Sequence, residues 1–329
     1  MTEIYVSDPI HPYVLAEIKA AATVHLGFGP DKVNYLNVSK NVDAVILRAE
    51  NFTKDVIEAS PQLKIIARHG VGTNNVDIDA ATDQGIWVTT TPGANSNAVA
   101  EHVFALLLAG ARKVPTATHR VRAGNWSEGK GDLIGFELSG RTMGIIGFGA
   151  IGRRVAAIAR GFGMTVLACD PIAKAEDVAA AGARLVSLDE LITEADAISI
   201  HVPLLPSTRH MIGVQELARM KKSAFIINTS RGGLVDEAAL ADALNKELIA
   251  GAAFDVLEAE SIDMKDPLPH TPFPHSTTPG LLLTAHIAGQ TEEAFLEAGT
   301  VAWAEVQRVL AGEAPSHPVN QPNLRPAHA

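Results

Sequence analysis

The chain has 329 residues, 47% of them hydrophobic and 19% charged, with a formal net charge of −10. Such a length suits two domains of ordinary size, and the composition is that of a globular protein, not a disordered or fibrous one. The acidic balance, with no dense Lys/Arg run, argues against nucleic acid or an anionic membrane as a partner, while the lone cysteine, Cys169, excludes an internal disulfide and a cysteine-held metal and fits a cytoplasmic compartment.

The first residues lack the basic and apolar stretches of a secretion signal and run into a predicted strand at 4–6. A helix is expected over 13–22, and buried strands over 44–47, 63–67 and 86–88. Strands alternating with helices point to parallel βαβ units. Apolar residues then recur at Val99, Val103, Leu106, Leu107 and Ala111, a helical period that predicts a helix over 98–114, ended by Pro115 and placed as a connector between domains. Its apolar stretch, 103–109, is far short of the roughly 20 residues of a membrane span.

From residue 141 the pattern restarts. Strands are expected at 143–146 and 165–169 around a glycine-rich turn and a helix, then at 197–201, 224–228, 250–254 and 281–284. This is the rhythm of a doubly wound nucleotide-binding sheet. Five prolines make 267–280 an irregular loop. A last helix is expected over 292–310, followed by a Pro-rich, frayed tail.

The turn after 143–146 carries G-x-G-x-x-G at Gly147, Gly149 and Gly152. Alone the pattern is weak, but a strand precedes it and a helix follows. The first glycine permits the turn, the second lets backbone approach a pyrophosphate, and the third lets helix pack on strand. Asp170 lies 18 residues beyond Gly152, at the end of the next strand, where a carboxylate accepts from both ribose hydroxyls of NAD and repels a 2′-phosphate.

Three ionisable residues follow later strands. Arg231 sits in Asn228-Thr229-Ser230-Arg231-Gly232-Gly233, and its guanidinium can grip a carboxylate bidentately. Asp255, Glu258 and Glu260 follow the next strand, and spacing alone does not say which of them faces a cleft. His286, one of 12 histidines, follows the last strand and can carry a proton near neutral pH. A cation, an acid and a carboxylate that tunes the acid are what hydride transfer to a keto acid requires.

These motifs, in this order over nearly the whole chain, resemble the D-isomer-specific 2-hydroxyacid dehydrogenase family, in its phosphoglycerate dehydrogenase-like branch. They include Arg68-His69-Gly70-Val71-Gly72-Thr73-Asn74-Asn75, Thr91-Pro92-Gly93-Ala94-Asn95 with Val99-Ala100-Glu101-His102, the glycine turn, His201-Val202-Pro203-Leu204 with Thr208, and His286-Ile287-Ala288-Gly289. The resemblance implies an α/β fold of two Rossmann-like doubly wound parallel-sheet domains. The substrate domain would be discontinuous, 1–98 with 290–329, and 99–289 would bind NAD.

Arg231 would bind the substrate carboxylate and carbonyl, His286 would be the acid/base, and Glu260 its partner. Gly147, Gly149, Ala150, Ile151, Gly152, Asp170, His201, Val202, Pro203, Thr208, Thr229, Ser230 and Gly289 would line the NAD site. Asp255 would meet the nicotinamide carboxamide. The Gly70, Val71 and Gly72 backbone would hold the substrate carboxylate, and the protein would be a homodimer through its nucleotide domain. The chain departs from the family where Ser261 and Ala285 stand in place of proline. Glu260 argues against the formate dehydrogenases, which carry glutamine there. Glu50 and Phe52, after Arg48, weaken the case for a phosphorylated substrate, and no C-terminal regulatory domain is expected. The alternatives are an NAD(H)-sensing corepressor-like binding protein, 3-phosphoglycerate dehydrogenase specifically, or a relative acting on an amino acid or nucleoside. Side-chain selectivity would sit near residues 7–11, Asn51 and 267–280, with His11, Arg48, Arg68 and His69 as possible contacts.

Overall fold

A computed structural model describes residues 2–127, 130–263, 266–273 and 278–322. The chain divides into two units, one of Met1–Asn95 with Gln290–Ala329, the other of Ser96–Gly289.

The first unit is built on five parallel strands: β1 (Glu3–Val6), β2 (Thr23–Leu26), β3 (Ala44–Leu47), β4 (Ile65–Arg68) and β5 (Trp87–Thr89). Helices α1 (Pro12–Ala21), α2 (Lys54–Glu58) and α3 (Ile78–Asp83) lie between them in sequence, and the sheet order is β2-β1-β3-β4-β5. β3 and β4 are buried at all four positions, as central strands covered on both faces must be. β2 went unread because it is a partly exposed edge strand, Thr-Val-His-Leu, with no alternation to mark it.

The second unit begins with α4 (Ser96–Ala111) and α5 (Val114–Arg122). The single helix expected over 98–114 is thus two. Lys113 turns the chain in the left-handed region (φ 52°), and Pro115 falls in the first turn of α5. There its missing N–H costs nothing, so this proline starts a helix instead of ending one. Nor is α4 a connector. It lies within the second unit and packs on its sheet through Val103, Phe104 and Leu107.

Seven parallel strands follow: β6 (Thr142–Ile146), β7 (Thr165–Cys169), β8 (Arg184–Leu185), β9 (Ala197–Ile200), β10 (Phe225–Asn228), β11 (Gly251–Phe254) and β12 (Leu281–Leu283). The helices among them are α6 (Ala150–Gly161), α7 (Ala175–Ala180), α8 (Leu188–Glu194), α9 (Val214–Arg219) and α10 (Glu237–Asn245). The order β12-β11-β10-β9-β6-β7-β8 reverses direction between β6 and β9. A doubly wound sheet opens a crevice at that reversal, beyond the carboxyl ends of its strands.

The last helix, α11 (Glu292–Leu310), returns to the first unit. Thr291 caps it by accepting from Ala294 N, and Ala302, Trp303, Val306 and Val309 close a core with Ile4, Val6, Ile46 and Ile65. The tail after it is not frayed as far as Pro322. Val319 N donates to Val88 O at 2.9 Å, and Asn320 bonds both Val88 N and Ile86 O. His317 is held at Nδ1 by the buried Glu305 carboxylate at 3.0 Å. Pro274 of the loop expected over 267–280 lies outside the described residues, as do residues 275–277. Among the described residues no helix is long and apolar enough to cross a membrane.

Candidate active site

The glycine turn sits where β6 gives way to α6, at the reversal of strand order. Gly147 has φ +94°, and a Cβ there would lie 2.7 Å from the carbonyl carbon of His201, which follows β9. Only glycine lets these two strand ends meet so closely. A Cβ on Gly152 would stand 2.2 Å from the Gly147 carbonyl oxygen, so the third glycine seats α6 against the turn. The second differs. A Cβ on Gly149 would meet no protein atom within 4 Å, so the space beside it is open.

Around that space the described residues fit a dinucleotide. Gly149 caps α6, whose 12 residues offer unpaired N–H groups from Ala150 and Ile151 onward to a phosphate. Asp170 follows β7. Its Oδ2 accepts from Phe148 N at 2.7 Å, and its Oδ1 from Ile172 N and Ala173 N, both at 2.9 Å. Partial burial pushes its pKa up, but these three donors and the Arg153 charge outweigh it and hold the carboxyl below its usual range. It is an anion wedged under the turn, and its Oδ2, which accepts one bond, keeps a second lone pair for a hydroxyl. Arg153 is spent over the Phe148 ring, 5.4 Å from its centroid.

On the β9 side, His201 Nε2 bonds Ser199 Oγ at 2.8 Å, while burial pushes its pKa down to about 3, so it is a neutral ring. His201 Nδ1 and Thr229 Oγ1 are buried with no protein partner, and such orphans call for an outside group or water. Thr208 Oγ1 closes the next loop by donating to Pro203 O at 2.7 Å, and Ser230 Oγ ties it to β10 through Val202 O at 2.7 Å.

Arg231 is carried by a turn that Asn228 builds, accepting from Ser230 N at 3.0 Å and donating to Arg231 O at 2.8 Å. A Cβ on Gly232 would collide with Leu257 and Glu258 backbone at 2.1–2.2 Å, so this turn lies flush against the segment bearing the acidic cluster.

The structure separates the three carboxylates that spacing left open. Glu258 pairs with Arg209 and with His210 Nε2. Glu260, in the 3₁₀ turn Glu258–Ser261, accepts from Leu257 N at 2.8 Å with one oxygen and from His286 Nδ1 at 2.7 Å with the other. Asp255 has a side chain with no exposed surface. Its carboxylate accepts from Thr284 Oγ1 at 2.5 Å, Ile287 N at 2.9 Å and Ala288 N at 2.7 Å. Asp255 thus builds the turn that carries His286.

His286 itself has φ +54°, a backbone state that costs a non-glycine residue about 1–3 kcal/mol and persists only where neighbours impose it. The Glu260 bond raises its pKa against partial burial and the Arg231 charge, with Asp255 adding to the rise. Arg231, Glu260 and His286 are thus one electrostatic group, 45% of the imidazole being open to solvent. Gly289 closes the turn at the boundary of the unit.

In the first unit, Gly70 (φ +147°), Val71 and Gly72 follow β4, with Val71 52% exposed. Arg68 anchors this loop by donating to Gly72 O at 2.7 Å and Leu47 O at 2.7 Å, and it also donates to Arg48 O. It is buried and acts as a brace, not as an exposed contact. His69 is also buried. Burial pushes its pKa down to about 4, although its Nε2 donates to Phe295 O at 3.2 Å. Arg48 lies 4.5 Å over the Phe295 ring. Glu50 accepts from Tyr5 Oη at 2.8 Å, and Phe52 is a wholly buried core residue, so neither speaks to the substrate.

Sequence reading named His102 only within the Val99–His102 motif and gave no role to it, to Thr284 or to the Arg209–His210 pair. Only His102 left a signal, since the register of Val99, Val103 and Leu106 puts residue 102 toward the packed face of α4.

Residues 104–288 match the family described as D-isomer specific 2-hydroxyacid dehydrogenase, NAD binding domain. The chain is 40% identical to the D-3-phosphoglycerate dehydrogenase of Methanocaldococcus jannaschii over 98% of its own length and 60% of that protein's. It is 39% identical to the glyoxylate reductase of Korarchaeum cryptofilum, over 89% of this chain and 87% of the relative. The D-lactate dehydrogenase of Lactobacillus jensenii, solved with NAD+, superposes with a TM-score of 0.81 at 30% identity, covering 97% of this chain and 100% of that one. The chain spans 57–60% of the length of the phosphoglycerate dehydrogenases it matches.

Proposed function

The chain belongs to the D-isomer specific 2-hydroxyacid dehydrogenase family, and on that premise we propose that it reduces a small 2-keto acid to the D-2-hydroxy acid, or the reverse, with NAD(H). The observation that carries this reading is the 2.7 Å bond from His286 Nδ1 to Glu260, with Arg231 close enough for its charge to oppose the imidazolium. NADH supplies the hydride when bound. Ala150 and Ile151 N–H groups would face its pyrophosphate, Asp170 a ribose, and the orphaned His201 and Thr229 atoms its remaining polar groups. Arg231 grips the substrate carboxylate and polarises the carbonyl. With Nδ1 committed to Glu260, the proton given to the carbonyl oxygen comes from His286 Nε2. The first unit, which carries the Gly70, Val71 and Gly72 loop after β4, is the substrate domain.

The test is NADH oxidation over pyruvate, glyoxylate, hydroxypyruvate, branched and aromatic keto acids and 3-phosphohydroxypyruvate, with NADPH in parallel. Turnover with NADH preferred is expected, because the Asp170 anion repels a 2′-phosphate. No turnover on any acid, with NADH bound, would favour the sensor reading. A second reading, 3-phosphoglycerate dehydrogenase specifically, draws on the 40% identical relative and on the Arg48 guanidinium in the first unit. Turnover confined to the phosphorylated acid would establish it.

The single cysteine and the absence of any membrane-length helix among the described residues support a place in the cytoplasm. A homodimer through the second unit is supported by α5, which has no buried residue and exposes Val121, and by the exposed Trp126 and Ile134 beyond it. Sedimentation at micromolar concentration should give twice the chain mass, and Trp126→Glu should give a monomer.

A further inference from the structure

His286 sits in an irregular turn, in a backbone state that a histidine does not hold unaided. What holds it is Asp255, through Ile287 N and Ala288 N at its two carboxylate oxygens, and through His286 N, which donates to the Asp255 backbone carbonyl at 2.8 Å. The turn thus stands where the Asp255 carboxylate stands, and the question passes to what fixes Asp255.

Thr284 Oγ1 is 2.5 Å from Asp255 Oδ1 and 3.1 Å from His102 Nε2. A hydroxyl has one hydrogen. The ionised carboxylate can only accept, so Thr284 gives that hydrogen to Asp255. Its lone pair must then accept from His102, and His102 Nε2 must carry a proton. The chain of donation has one direction: His102 Nε2–H to Thr284 Oγ–H to Asp255. The same nitrogen lies 3.7 Å from Asp255 Oδ1, so His102 also faces the carboxylate directly. His102 is held by α4, which packs against β10 and β11, and its side chain is 18% exposed. It is a fixed donor on a packed helix, within the same unit as the residues it serves.

We propose that His102 is a positioning residue for the reaction, setting the place of the catalytic His286 through the Thr284–Asp255 bond without touching substrate or cofactor. This rests on the dehydrogenase reading above. The groups that face the His286 imidazole are Glu260, Arg231 and Asp255, and only the last belongs to the chain that starts at His102.

The test compares His102→Leu, which removes the donor, with His102→Gln, whose amide N–H reaches about where the imidazole Nε2 lies. His102→Leu should lower kcat about 10-fold, since small misplacement of a catalytic group is costly, with NADH affinity and KM little changed. His102→Gln should recover most of that loss. His286 should titrate lower in His102→Leu by NMR, because a shifted turn weakens its bond to Glu260, and should return in the glutamine variant. Thr284→Val breaks the same link from the other side. It should reproduce the leucine phenotype without adding to it, and it serves also if leucine at 102 does not fold. The proposal is overturned if kcat in His102→Leu stays within twofold and the His286 titration is unmoved. It is equally overturned if glutamine is as harmful as leucine, since that is packing and not donation. If the parent protein turns over no acid at all, the dehydrogenase reading has failed, and the NMR arm still decides the link from His102 to His286.

Discussion

His286→Ala should lower kcat by about 10³-fold while leaving NADH binding intact, since a positioned acid contributes roughly 10²–10⁴-fold and this residue is no part of the glycine turn. Stopped-flow turnover and NADH fluorescence titration read the two quantities separately; loss of both together would mean that the turn after β12 had collapsed and would not identify an acid. The pH dependence follows from the sign of the shift. Glu260 raises the imidazole pKa, so the protonated form persists to higher pH than for an ordinary histidine. Keto-acid reduction consumes that form. Its rate should hold on the acid side and fall as pH rises through the raised pKa, whereas hydroxy-acid oxidation should gain over the same interval. Glu260→Gln keeps a side chain of the same shape and removes the charge, so the falling limb of reduction should move to lower pH. A limb that stays in place would assign the titration to another group.

Gly152→Ala should damage both stability and cofactor affinity. The added methyl would stand 2.2 Å from the Gly147 carbonyl oxygen, and Gly147 cannot retreat because the backbone of His201 blocks it. Overpacking against backbone costs about 1–3 kcal/mol, which for a unit of this size lowers Tm by roughly 2–12 °C. Displacing the turn by even part of that energy weakens NADH binding by about tenfold per 1.4 kcal/mol. Gly149→Ala is the informative partner. Its methyl meets no protein atom, so Tm should hold while NADH affinity falls, because the open space is where the pyrophosphate would lie. Equal Tm losses in the two variants would contradict this division of labour.

Much of the fold was legible because a parallel sheet buried on both faces writes itself as short apolar runs. The strand-to-helix rhythm gave the two arrays, but not the strand order, which depends on long-range pairing. The ends of consecutive strands likewise pointed to Arg231 and His286. The acidic cluster was not resolvable, because the tight 3₁₀ turn Glu258–Ser261 sends Glu258 and Glu260 to different partners while Asp255 stays inside. Neither the Asp255 role nor the His102 bond has a local signature, since each joins residues far apart in the chain. Pro115 was misread because proline suits the start of a helix as well as the residue after its end. The docked tail was invisible for the same reason as the strand order: Val319 is recognisable as paired only once Val88 is seen beside it.

The first unit closes only when α11 arrives. Ile4, Val6, Ile46 and Ile65 pack against Ala302, Trp303 and Val306, residues separated from them by the whole of Ser96–Gly289. At ordinary translation speeds of about 5–20 residues per second, that intervening stretch takes roughly 10–40 s to emerge. During that interval the leading part of the nascent chain presents an uncovered apolar sheet face at the ribosome, while the later-made unit can already complete itself. The core of the first unit is therefore completed only after the whole of the second unit has been made.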